Sequence, residues 1–185
     1  MAFDPAAYGQ TISDILALDQ NGARLMPLVS GTTCSSLVAH AQLSGKKAAD
    51  LFPGAQAPEA ALAGLWLYFS CFDESHQIAQ DVHTHEGSLW HAILHRQEPD
   101  SGNSAYWFRK AGHHPIFEDL WKAADGILAR FPEAEFRTGG TWDTYAFIMF
   151  CERARQQPGS PSERAALEIQ REEWQLLFDH CARHR

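Results

Sequence analysis

The sequence predicts an all-α fold of about six to eight helices. Three observations lead there. Apolar residues recur at helical spacing in several long segments, and Pro and Gly punctuate the joints between them. No run alternates apolar and polar residues long enough to insist on a sheet. With 45% hydrophobic and 11% aromatic residues, the chain can bury a substantial core. Its 185 residues suit one helical domain over residues 1–185, on a prior of roughly 100–200 residues per domain.

Residues 1–57 form the less regular N-terminal segment. There "TISDILALDQNG" makes a short helix closed by Gly22, "MPLVSGTTCSS" reads as loop, and Ser44 is placed to cap a helix through "GKKAADLF". "FPGAQAP" breaks the chain before the helical core, residues 58–185. "EAALAGLWLYFSCF" is apolar on every side, the pattern of a helix buried all round, and it runs on into "DESHQIAQ". After the loop "DVHTHEG", Ser88 is placed as N-cap of "SLWHAILHRQ", which Pro99 limits. Asp100 or Ser101 caps "DSGNSAYWFRKAG", and Gly112 closes it. In "IFEDLWKAADGILARF", Phe117, Leu120, Trp121, Ala124 and Leu128 share a stripe, ended by Pro132. "TWDTYAFIMFCERARQ" is strongly apolar, with two arginines near its C-terminal end, where the helix dipole favours them. The last helix has Ser160 as N-cap, Pro161 in its first turn and Glu163 closing a capping box. Its stripe runs through Ala166, Ile169, Trp174, Leu177 and Cys181.

Composition removes several function classes. Net charge is −8, and basic residues cluster only in pairs such as Lys46-Lys47. A nucleic-acid partner requires a basic footprint that displaces counterions, so that class is excluded. The longest apolar stretch, residues 60–72, is interrupted by Ser70 and falls short of the ~20 residues that span a bilayer. The start of the chain shows neither a basic nor an apolar leader. Cys34, Cys71, Cys151 and Cys181 are far apart with no Cys-x-x-Cys pair, so free thiols and a cytoplasmic location are expected. A Gly-x-Ser-x-Gly elbow and the glycine-rich phosphate loops are missing, which leaves no support for a serine nucleophile or nucleotide chemistry.

The polar chemistry concentrates in residues 73–115, which hold His76, His83, His85, His91, His95, His113 and His114 out of 10 histidines. Histidine titrates near neutral pH and ligates metals as neutral imidazole. His91 and His95, four apart, share a helix face that Glu98 extends, and such a face supplies part of a Zn, Fe or Mn shell. The pair departs from the zincin motif, since Ala92 stands where the general-base Glu belongs. The same spacing recurs at His180 and His184, near a frayed end where no metal site is expected. Asp73, His76 and Gln80 make a second stripe, in which Asp73 can orient His76. The paired Glu-x-x-His motifs of a di-iron bundle are missing. His83 and His85 fall in a predicted loop and read as solvated. In "NSAYWFRKAGHHP", Asn103, Tyr106 and Trp107 offer a polar-aromatic face, and Arg109 a cation for an anionic ligand. Stapling of Arg109 to Glu98 or Asp100 is the structural alternative, and Arg96 beside Glu98 has the same two readings.

At "GLWLYFSCFDESHQIAQ" and "WHAILHRQEPDSGNSAYWFRKAGHHPIF" the sequence resembles a family of bacterial hypothetical proteins, over roughly residues 62–117. The resemblance implies that these segments act as one unit. It brings with it no activity, fold or catalytic residue.

The residues therefore predict a metal-assisted enzyme acting on a small, anionic molecule. His76, His91 and His95 would ligate a divalent metal (Zn, Fe or Mn), with Asp73 or Glu98 as ligand or general base. Asn103, Tyr106, Trp107 and Arg109 would bind the substrate. The alternative is a non-enzymatic ligand-binding or assembly protein, a homo-oligomer included, whose His, Arg and Glu side chains form a structural polar network.

Overall fold

Helices account for all the regular structure in a computed structural model that describes residues 3–31 and 33–184. In chain order they are α1 (Gln10–Ala17), α2 (Leu37–Leu43), α3 (Ala48–Leu51), α4 (Pro58–Tyr68), α5 (Phe72–Asp81), α6 (His85–Gln97), α7 (Ser101–Ala111), α8 (Ile116–Leu128), α9 (Thr144–Ala154) and α10 (Pro161–Ala182). The all-α expectation holds. Ten helices among the described residues exceed the six to eight expected, and two local causes account for the surplus.

The first is α2, which starts just after the loop "MPLVSGTTCSS", on residues that the sequence reading assigns to no element. Ser36 caps it by accepting a hydrogen bond from the Ala39 N–H at 3.1 Å. Leu37 and Val38 point outward, 81% and 56% exposed, while Ala39 and Leu43, four apart, are buried, so apolar residues fall on both faces and mark no single stripe in the sequence. Ser44, expected to start a helix, instead ends this one, its hydroxyl donating to the His40 carbonyl at 2.8 Å.

The second is a break between α4 and α5, which were read as continuous. Ser70 adopts a left-handed backbone with φ 56°. The Ser70 N–H donates to the Leu67 carbonyl at 2.9 Å and the Cys71 N–H to the Trp66 carbonyl at 3.0 Å, the pair of bonds that closes a helix in a Schellman turn. Arg24 completes the stop: its guanidinium donates to the Tyr68 carbonyl and, at 3.0 Å, to the Ser70 hydroxyl, a cation against the negative end of α4. Cys71 is joined to Cys34 across a Cα–Cα distance of 4.4 Å, which corrects the expectation of four free thiols. Only Cys151 and Cys181 are free.

Two further boundaries differ. Thr84, not Ser88, caps α6, accepting from the Gly87 N–H at 3.2 Å, so His85 lies in the first turn rather than in a loop. The end of α10 is held in place, not frayed. The Gln56 N–H donates to the Arg183 carbonyl and the Ala57 N–H to the Cys181 carbonyl, both at 3.0 Å. At its other end the N-cap reading holds: Ser160 accepts from the Glu163 N–H at 3.1 Å, but the Glu163 carboxylate takes the Gly159 N–H at 2.6 Å in place of the Ser160 N–H of a capping box.

Helix α4 is the axis of the larger apolar cluster, buried from Ala60 through Tyr68 and packed against α3, α5, α6 and α10. Ser75 on α5 donates to the Ala63 carbonyl at 2.9 Å, and Ser104 on α7 to the Ala92 carbonyl at 2.8 Å, stitching neighbours with bonds that satisfy buried hydroxyls. A second cluster joins α8, α9 and the first half of α10. Helix α10 runs through both, with Ala165, Ala166 and Ile169 in one and Trp174, Leu177, Phe178 and Cys181 in the other. Among the described residues, no helix is long and apolar enough to cross a membrane.

Candidate metal centre

Helices α5 and α6 pack side by side, and their facing stripes bring His76 together with His91 and His95. One ring nitrogen from each lies within 4.8 Å of the others. His91 Nε2 and His76 Nε2 are 3.0 Å apart. Ligands about 2.0–2.1 Å from a tetrahedral cation stand ~3.3 Å from one another, so a few tenths of an ångström separate this pair from a coordinating geometry. His91 and His95 are 4% and 6% exposed, whereas His76 is half-buried and gives the cluster its contact with solvent.

Glu98, at the C-cap of α6, places Oε2 2.7 Å from His95 Nδ1. That contact fixes the ring and leaves Nε2 as its free ligand atom, the arrangement by which a carboxylate orients a metal-bound histidine. Glu98 is thus an orienting group beside His95 and not a direct member of the cluster. Asp73 is exposed in the first turn of α5, where an acid suits the helix dipole, and its side chain makes no hydrogen bond or ion pair with the three rings.

Helix α7 covers the cluster. Trp107 stacks on His91 with centroids 4.0 Å apart and planes 16° apart, and His91 stacks in turn on His95 at 4.7 Å. Lys110 Nζ sits 4.1 Å from the Trp107 ring centroid, a cation–π contact. Tyr106 is exposed and meets Trp107 edge-on at 5.5 Å, while Asn103 is half-buried, its N–H capped by Asp100 at 3.0 Å. Arg109 is exposed and makes no polar or ring contact among the described residues, so neither the ligand role nor the staple to Glu98 or Asp100 is built. Lys110 is the cation that the sequence reading missed, though its spacing of three from Trp107 places both on one helix face.

Burial, reinforced by His95, His76 and Lys110, lowers the His91 pKa from 6.5 to about 4. The ring is therefore neutral at neutral pH, the form that ligates metals. Its Nδ1 is buried without a hydrogen-bond partner. An N–H at Nε2 satisfies the contact with His76, whereas ligation through Nε2 moves the proton to Nδ1, where no acceptor stands. His76 and His95 are the better-supported ligands.

The remaining histidines divide. His83 is exposed in its loop, and His113 is exposed before α8. His85 Nδ1 contacts the Ala111 carbonyl at 2.5 Å. His114 and His180 meet Glu86 in a second cluster. A third group, Cys34, His40 and Glu74, has its sulfur engaged in the disulfide and its His40–Glu74 pair closed at 2.8 Å. Arg96, ambiguous from sequence, is buried and structural: it pairs with Glu173, donates to Gln170 at 3.4 Å and lies 4.6 Å over Phe147. Burial pushes the Cys151 thiol up to about 12, which removes it as a nucleophile.

No family model, curated protein or solved structure matches the chain.

Proposed function

We propose that His76, His91 and His95 hold a divalent metal (Zn, Fe or Mn) and that the protein is a metal-assisted enzyme acting on a small, anionic molecule. The observation that carries this reading is the convergence of three imidazoles from two helices, with Glu98 fixed on the outer nitrogen of His95. A three-residue ligand set leaves a coordination position for water or a substrate oxygen, which a bound cation would polarise. The chain's own residues supply the rest. Glu98 orients His95, and Trp107 excludes water from the His91 face. Half-buried His76 is the ring through which the cluster meets solvent, and Lys110 carries the positive charge that attracts an anion. The resemblance of residues 62–117 to bacterial proteins belongs to the same proposal, whereas the Cys34–Cys71 bridge removes the free-thiol ground for a cytoplasmic location.

The test is elemental analysis of untagged protein purified without chelator. At least one metal per chain is expected, the count falling by one in His76→Ala and in His95→Ala, together with a higher Tm when the metal is restored. Metal-free protein whose Tm ignores added Zn, Fe and Mn would overturn the reading. A second reading, a structural polar network, is favoured by the Trp107 stack and the orphaned His91 Nδ1. It expects His91→Phe to keep the stack and the stability.

A further inference from the structure

We propose a second cation site, built from Glu86, His114 and His180, that clamps the end of α10 to the start of α6. The three side chains come from distant parts of the chain. Glu86 lies in the first turn of α6, His114 in the turn before α8, and His180 in the last turn of α10. One ligand atom from each lies within 4.8 Å of the others. Glu86 Oε1 stands 3.4 Å from His180 Nε2 and 3.8 Å from His114 Nε2. Both separations are long for hydrogen bonds. They match the ~3.3 Å edge between ligands of a tetrahedral cation within half an ångström.

Two observations point inward. His114 is 2% exposed, and its Nε2 has no hydrogen-bond partner, a cost that a ligand at this point removes. His180 Nε2 lies 2.8 Å from the Gln56 amide nitrogen, so it presents a lone pair to that donor and carries its own proton at Nδ1, the tautomer that ligation through Nε2 needs. Two contacts must yield. The Gln56 amide swings off His180, and the proton that ligation moves to His114 Nδ1 meets the Ile116 N–H, so the long 3.4 Å contact opens, a cost of the kind seen at His91 that the bound cation must offset. A cleft of about 230 Å³, bordered by His85, His113 and Pro115, gives the ion a path in. Two histidines and one carboxylate suit Zn or Fe(II), and the hard-cation sites of Ca and Mg would require more oxygens.

The site is independent of the three-histidine cluster. At 100° per residue, Glu86 is about 180° around α6 from His95 and 140° from His91, so the two clusters use different faces of one helix. Its role follows from what it joins: α10 passes through both apolar clusters, and a cation here ties its last turn to α6 and the α7–α8 turn.

Cobalt(II) titration of the full chain carrying His76→Ala and His95→Ala tests the proposal, read by visible absorbance and by Tm. One Co(II) per chain is expected, displaced by Zn(II), and lost when His180→Ala or Glu86→Gln is added. His180 is half-buried, and circular dichroism checks that its replacement leaves the helices intact. If the His76/His95 variant does not fold, His180→Ala in the otherwise unchanged chain must lower the metal count by one. No Co(II) binding in the folded double variant, or equal binding after His180→Ala, overturns the proposal. Metal that survives His95→Ala but not His180→Ala would overturn the three-histidine centre and leave this site standing.

Discussion

Glu98 stands outside the ring cluster yet sets the orientation of His95, because its Oε2 holds the Nδ1 edge at 2.7 Å. Glu98→Ala is expected to weaken metal binding by about 10–100-fold, the usual cost of losing an orienting partner, with Glu98→Gln recovering part of it. Competition against a chromogenic chelator measures this, and unchanged affinity would show that Glu98 orients nothing. A pH dependence follows from two other rings. Burial first, then His95, His76 and Lys110, depress His91; burial first, then His180 and His85, depress His114 against the opposing pull of Glu86. Both fall from 6.5 to about 4, so between these values the unfolded chain binds protons that the folded chain refuses. Stability is fully present above about pH 6.5 and is lost as pH falls toward about 4. Urea unfolding of metal-free protein across that window should show the midpoint falling, and a flat profile would contradict both shifts. The His91/His95 face was legible from spacing alone, as was the stripe carrying His76. Glu86, His114 and His180 were not, because nothing local links residues that only the packing of α6, α8 and α10 brings together.

Elements show the same division between local and global causes. Caps at Asp100, Asp143 and Ser160 are each written in a few adjacent residues, and each accepts the N–H three positions on. The sequence places the start of α6 at Ser88, and the structure moves it four residues earlier, to Thr84. Gly87 lies against Val82 so closely that any side chain would strike it, which fits the turn begun at Thr84. The α4–α5 break was hidden because Ser70 is the left-handed residue where glycine is usual, and Cys71 is bonded to a cysteine 37 residues away. That bridge predicts a thiol count: unfolded, unreduced protein should expose two reactive thiols, Cys151 and Cys181, and four after reduction. Four before reduction would mean that the bridge is open. Gly64 marks a tight contact of α4 with α6, since a methyl there would overlap the buried Trp90 ring, while Trp174 Nε1 donates to the Gly64 carbonyl at 2.8 Å. Gly64→Ala is expected to cost about 1–3 kcal/mol through overpacking. For a chain of this length that lowers Tm by roughly 2–4 °C per kcal/mol. An unchanged Tm would show that the indole can yield.

At the scale of the molecule, two apolar clusters meet along α10, where Phe117 and Leu176 pack against both and a buried ion pair also spans them. Arg96 from α6 pairs with Glu173 from α10, both side chains within 2% of full burial. Its guanidinium also lies over Phe147 of the second cluster, and Gln170 ties the network to the Met26 carbonyl at 2.9 Å. The ion pair sits beside these apolar contacts, which alone would tolerate sliding, so its geometry registers the two clusters against each other. Two buried charges are costly to desolvate, and their attraction offsets that cost only while both are present. Removing one partner is therefore worse than removing both. Arg96→Met or Glu173→Leu alone is expected to destabilise the fold by about 3–5 kcal/mol, because each strands a buried charge. The double variant should recover most of that loss. Thermal unfolding of the four proteins in a double-mutant cycle gives the coupling directly. Additive losses would mean that the ion pair does not couple the clusters, and that burial of the apolar faces alone holds α10 in both.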